Sequence, residues 1–253
     1  MEMFAAKEIT DRLVSWLKDY FEKNTEETTK AIIGISGGKD SAIVAALCTA
    51  AIGRERVLGV LLPQGKQADI GFAYDLCHEL GIEYLEINIG EAVDKLLEAI
   101  ETSGANPNDG AIINTPARIR MTTLYAIAAI CGGRVANTGN LSEDWVGYST
   151  KYGDMAGDFA PLSHFTMTEV KAIGHELGLS SRFIDKIPAD GLTGRTDEEN
   201  LGFSYELLDK YIRTDVCVDE LVKEKIDRLH AMNSHKTQPI PTFIYSQREK
   251  TPF

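Results

Sequence analysis

At 253 residues the chain is long for one α/β unit without requiring two, and it leaves room for a sizeable core; one domain over 1–253 is expected. Its 26 basic and 38 acidic side chains give a formal charge of −12, which argues against broad contact with nucleic acid or an anionic membrane, since both need clustered Lys and Arg. No stretch approaches the roughly 18 apolar residues of a membrane span, and the opening MEMFAAKEITDRL has no signal-peptide layout, so a cytoplasmic protein is expected.

Residues 7–23 place Ile9, Leu13, Trp16, Leu17, Tyr20 and Phe21 on one face of a docking helix. Short β-rich runs then recur at 30–35, 56–62, 83–89 and 133–137, with helical runs near 41–52, 68–80, 90–102 and 115–131. Strand and helix alternate, which predicts an α/β fold: a parallel sheet with helices on both faces and ligands at the carboxyl ends of the strands. Beyond Gly139 the pattern changes to a polar stretch over 140–162, a helix over 166–178, a loop over 180–203 and mainly helix over 204–234. Segments 140–160 and 185–203 are the candidates for loops that order over substrate. Cys48, Cys77, Cys131 and Cys217 are widely spaced with no CxxC pair, and are expected as small buried hydrophobes.

The most informative string is Ser36-Gly37-Gly38-Lys39-Asp40-Ser41, between the strand that ends near Gly34 and Ile35 and an alanine-rich helix. A helix that opens at the carboxyl end of a strand presents unpaired N–H groups and a positive dipole end to an anion. The glycines admit a close approach, and Ser36, Lys39 and Ser41 add donors, so phosphate is the expected guest. An ordinary strand-to-helix turn with Asp40 or Ser41 as N-cap is the plain alternative. The spacing is not that of a Walker A loop.

SGGKDS resembles the pyrophosphate-binding loop of the N-type ATP pyrophosphatases, which split ATP between its α- and β-phosphates. With NTPARIRM (114–121), NTGNLSE (137–143), KYGD (151–154) and Asp158, DEENLGFSY (197–205) and His235-Lys236, the chain is similar to the ammonia-dependent NAD synthetase family from about Lys7 to about Phe243. The resemblance implies a Rossmann-like sheet of four or five parallel strands, of the adenine nucleotide alpha hydrolase type, followed by C-terminal helices. It implies ATP and Mg²⁺, with ATP held by residues 34–41 and Thr138 and the metal held by Asp40 and Glu143, although Asp144 competes for that role. It implies Arg118, Lys151, Asp158, His235 and Lys236 as contacts to deamido-NAD, with Arg120 in support. Asp154 is placed near the reacting carboxylate, to orient or deprotonate ammonium, beside Lys39 and Asp40 as the groups that act on ATP. A homodimer is implied as well, and the apolar run 115–131 suits a core or a subunit contact equally.

Two arginines separated by one residue point to different faces of a helix, so Arg118 and Arg120 are not expected to serve the same pocket directly. Asn114 or Thr115 is expected to cap that helix, with Pro116 in its first turn. Many relatives carry a lysine at Met167 and a threonine near Ala189; Lys186 and Thr193 are the stand-ins. The expected reaction adenylates deamido-NAD at its nicotinate carboxylate, and ammonia then displaces AMP. Only about 30 residues precede SGGKDS, too few for a glutaminase, so free ammonia or ammonia from a separate protein is the expected nitrogen source. A tRNA-modifying thiolase or lysidine-type ligase would share the loop but predicts a basic surface and often CxxC pairs. A nucleotide-binding sensor would keep the cradle without turnover.

Overall fold

A computed structural model of the chain describes residues 4–186, 196–217 and 219–243. Helix α1 (Ala6–Asn24) precedes β1 (Ala31–Gly34), α2 (Lys39–Ile52), β2 (Val57–Leu61), α3 (Gly71–Leu80), β3 (Glu83–Glu86), α4 (Gly90–Thr102), α5 (Asp109–Cys131) and β4 (Arg134–Val135). The four strands are parallel in the order β3-β2-β1-β4, with Ala31 paired to Val57 on one side and to Arg134 on the other.

Side chains alternate along the two central strands and so build two cores. Ala31, Ile33, Val57 and Leu61 pack with α1, α2 and α3, whereas Ile32, Leu58 and Val60 pack with Val93 of α4 and Met121, Leu124 and Ala128 of α5. Both faces are therefore covered, as the alternating pattern predicts. In α1 the buried residues are Thr10, Leu13, Leu17 and Phe21; Trp16, expected on the same face, is exposed and stacks on Tyr20. β3 is shorter than the expected 83–89, and all four of its residues are exposed because it is the edge of the sheet. Cys48 and Cys77 are buried, but Cys131 is exposed and Cys217 half-buried, contrary to the expectation for all four.

The largest departure is α5. It begins at Asp109, capped by the Asn108 side chain, which accepts from Ala111 N at 2.9 Å, so neither Asn114 nor Thr115 is the cap and Pro116 lies inside the helix. A proline there lacks the N–H that would reach back four residues. Asn114 is instead drawn sideways, accepting from Thr150 Oγ1 at 2.7 Å.

Of the remaining helices, α6 (Leu141–Val146), α7 (Met167–Glu176), α9 (Asp197–Leu201), α10 (Tyr205–Thr214) and α11 (Glu220–Asn233) form a third block, whereas α8 (Ser181–Ile184) packs Phe183 and Ile184 into the core beside α2. α6 falls within the stretch expected to be a loop. Val146, Met167, Leu201, Phe203, Tyr205, Leu208 and Ile226 make the block's core. Asp209, buried on α10, ties three of its helices together: it accepts from Ser142 Oγ on α6 and from Thr168 N and Oγ1 on α7 at 2.7 and 2.6 Å. Asp209→Ala strips the acceptor from these donors and is expected to cost about 3 kcal/mol. The check is the chemical-denaturation midpoint, with Asp209→Asn expected to lose less.

Candidate active site

β1 ends at Gly34 and α2 begins at Lys39, so the SGGKDS string spans the carboxyl end of a central strand and the first turn of a helix. β4 lies on the other side of β1 and leads into 137–140. Strand order runs outward from β1 in both directions, and this reversal is where open α/β sheets form a ligand crevice. Asn140, fully buried, joins the two loops: its Nδ2 donates to Asp40 Oδ1 at 3.3 Å, and its Oδ1 accepts from Glu143 N at 3.1 Å, capping α6. One amide thus fixes Asp40 and the helix that carries Glu143. Thr138 sits half-buried in the same loop.

Within SGGKDS, Gly37 has φ +78°, a left-handed conformation that favours glycine, and a Cβ there would lie 3.2 Å from Phe72 Cβ. Gly38 is the N-cap of α2, so Asp40 and Ser41 fall inside the first turn instead of capping it. Ser36 N donates to Ser41 Oγ at 3.4 Å and Gly38 N to Ser36 Oγ at 3.2 Å. These are long bonds for N–H donors, and a phosphate oxygen is the stronger acceptor. Lys39 is only 3% exposed and donates to Asp40 Oδ2 at 2.7 Å, so its ammonium faces carboxylates and not the open side of the loop. Lys186 braces the loop from outside: its Nζ donates to Gly37 O at 3.2 Å and pairs with Asp69, whose acidity it strengthens. Gln67 adds a bond to Asp69 at 3.0 Å. Met167 is buried in the third core. Ala189 and Thr193 lie outside the described residues.

Adjacent on α6, Glu143 and Asp144 face different neighbours. Burial, then the nearby Asp40 charge, raises the Glu143 carboxyl to about 8, with Asp197 adding to the effect and Lys39 opposing it. Asp144 accepts from Ser149 Oγ at 3.3 Å, and burial, with Asp154 beside it, raises it to about 6. Glu143 is therefore the one that shares space with Asp40. For Lys39, burial works against the charged form, but Asp40 and Glu143 outweigh it and hold the ammonium protonated. Asp197, buried at the start of α9, joins this group; the sequence offered it only as one letter of a motif.

A second group lines the loop after α6. Lys236 Nζ donates to Gly147 O at 2.7 Å and Ser149 O at 2.9 Å, and Lys151 Nζ to His235 O at 2.6 Å. Trp145 stacks on His230 with centroids 4.2 Å apart, so the end of α11 is fastened along the loop. Asp154 accepts from Thr150 N at 2.8 Å, and its surroundings raise its proton affinity through desolvation. Arg118 donates to Lys151 O at 3.3 Å, whereas Arg120 donates to Leu62 O at 3.0 Å, near Asp154, so the two arginines do diverge. Asp158 joins neither group. Its carboxylate accepts from Val135 N at 2.7 Å on the edge strand, beside Tyr125.

The sequence matches the family described as NAD synthase over residues 9–250. It is 39% identical over 247 residues to the NH(3)-dependent NAD(+) synthetase of Thermococcus sibiricus, covering 97% of this chain and 94% of that protein. It superposes on the structure of NMN synthetase from Francisella tularensis with a TM-score of 0.87 at 31% identity, over 96% of this chain and 100% of that one. The NH3-dependent NAD synthetase from Campylobacter jejuni, in complex with the nitrate ion, gives 0.77 at 28% identity, again over 96% and 100%.

A carboxyl raised from 4.5 to about 8 in the fold binds its proton more tightly folded than unfolded, so its contribution to stability is lost as pH climbs through that window. Without divalent cations the protein is expected to weaken between about pH 5 and 8. Glu143→Gln should flatten part of that slope in denaturation midpoints taken across the range; an unchanged slope would contradict the assignment.

Proposed function

Because this chain belongs to the NAD synthase family, we propose that it is an ATP-dependent ligase that amidates deamido-NAD with ammonia, giving NAD, AMP and pyrophosphate. The observation that carries this reading is the placing of Asp40 and Glu143 side by side at the split of the sheet, next to a phosphate-type loop. Crowding that raises the proton affinity of Glu143 is what a divalent cation would offset. Among the described residues no three His, Cys, Asp or Glu side chains are placed to hold a metal by themselves. Asp40 and Glu143 therefore fit Mg²⁺ that takes its other ligands from phosphate and water. Bound there, Mg²⁺ would withdraw charge from the pyrophosphate as it leaves.

Residues 34–41 hold the ATP phosphates and Thr138 the nucleoside, while the Lys39 ammonium donates to Asp40 Oδ2 and fixes its carboxylate beside the loop. The nicotinate carboxylate attacks the α-phosphorus, the bond to pyrophosphate breaks, and the substrate carries AMP as a mixed anhydride. Ammonia nitrogen then attacks the activated carbonyl, AMP departs with the bonding pair, and the surplus proton passes to Asp154, whose raised proton affinity suits it to receive one. Arg118, Lys151, His235 and Lys236 lie along one loop and form the dinucleotide's side of the crevice. Asp158 reaches the dinucleotide only if the site continues past the sheet edge. A second subunit on α5 fits that: Ile112, Ile113 and Ile130 are 50%, 54% and 78% exposed on this helix, and Tyr125 beside Asp158 is exposed too.

A second reading comes from the likeness to the NMN synthetase, whose TM-score exceeds that of the dinucleotide enzyme. On that reading the substrate is nicotinate mononucleotide, which lacks the adenylate half. With ATP, Mg²⁺ and NH₄⁺, purified protein is expected to form NAD, AMP and pyrophosphate in equal amounts from deamido-NAD; no NAD would overturn the proposal. A kcat/KM higher for the mononucleotide than for deamido-NAD would select the second reading. Asp40→Asn is expected to lower kcat by on the order of 100-fold in either case.

A further inference from the structure

We propose that Tyr205 is a ligand-binding residue of this site, its hydroxyl donating to an oxygen of the phosphate or water that the Asp40–Glu143 metal site holds. The inference rests on the reading of those two carboxylates as a shared metal site.

Tyr205 opens α10, its backbone N held by Glu198 Oε1 at 2.8 Å and its ring packed in the third core with Val146 of α6, Leu201 and Phe203. The residue is 5% exposed, and among the described residues its hydroxyl is the one buried side-chain polar atom with no hydrogen-bond partner. Buried polar atoms are rarely left that way, and those that are call for a partner outside the chain. The charges that act most on this hydroxyl belong to Glu143, then Asp197 and Asp40, and the ring packs against Val146 of the helix that carries Glu143, so the hydroxyl stands close to these carboxylates. Burial and those negative neighbours hold the phenol far above its usual ionisation range, so it remains a donor at every pH the enzyme meets. Surrounding carboxylates favour a donor, and a polyanion bound through a cation would supply the acceptor.

An atom with this role gives opposite signs in two measurements. Tyr205→Phe deletes only the hydroxyl oxygen, and since that atom has no partner within the protein, the ligand-free variant should melt at the parent's temperature or above it. Binding of inorganic pyrophosphate in the presence of Mg²⁺, read by calorimetry, should weaken by roughly 3- to 10-fold if the hydroxyl meets a bound water and by roughly 10- to 100-fold if it meets a charged phosphate oxygen. If the variant binds Mg²⁺–pyrophosphate as tightly as the parent, or if the ligand-free variant is destabilised to the same extent as its binding is weakened, the proposal fails. A crystal structure with Mg²⁺ and pyrophosphate showing the hydroxyl on a water bound to neither would overturn it independently. If the parent itself binds no Mg²⁺–pyrophosphate, it is the metal-site reading that falls, taking this one with it; equal binding by both proteins overturns the role of Tyr205 alone.

Discussion

Repulsion among carboxylates at the split of the sheet is the constraint around which the rest of the structure is arranged. Asp40, Glu143 and Asp197 act on one another there with a single buried ammonium, Lys39, among them. Two ionised carboxylates buried together would repel, and burial beside Asp40 accordingly keeps the proton on Glu143 up to about pH 8. A fold does not hold such a group together unless its backbone anchors are stiff. The anchors are visible: α2 starts on Gly38 directly after a buried strand, α6 starts on Asn140, and that same Asn140 grips Asp40.

Behind this group stands the C-terminal block, which does for α6 what the sheet does for α2. Asp209 fastens Ser142, one residue from Glu143, to α7 and α10. The end of α11 fastens the following loop through backbone carbonyls, with Lys236 on Gly147 and Ser149 and Asn233 Nδ2 on Val146 O at 3.1 Å. Gly147 leaves no room for a side chain there, since a Cβ would fall 2.1 Å from Asn233 Cβ. The segment expected to order over substrate is held over 141–151 by contacts within the chain, and the Lys236 ammonium, expected at deamido-NAD, donates to two carbonyl oxygens of that wall.

Local chemistry is what the sequence made legible. The alternating strands and helices, the SGGKDS loop, the helix after it and the divergence of Arg118 from Arg120 all follow from periodicity and residue type within a few positions, and each is seen. α5 was misread because Pro116 is a strong local start signal, and tertiary contacts of Asn114 and Met121 outweigh it. Asn140, Asp197 and Tyr205 stand in the sequence only as letters of motifs, with no role attached, and Asp209 in none, for a different reason. Their roles come from partners far along the chain, 100 residues for Asn140 with Asp40 and 67 for Asp209 with Ser142, and nothing in the spacing of letters reports which distant carboxylate a buried amide will meet. Sequence had favoured Glu143 over Asp144 only through family register; geometry supplies the physical distinction, because neighbouring positions on a helix face different sides.

The order of strands carries a kinetic consequence. β4 adds to β1 only after the whole of β2, β3 and α5 has been passed, and Lys186 meets Gly37 across 149 residues. Contacts so distant close large loops and form late, whereas α1, α2 and the β1–β2 pair collapse from neighbouring segments. During refolding the crevice between the β1 and β4 loops is therefore expected to mature after the β1–β2 pair, with activity returning behind the helical signal.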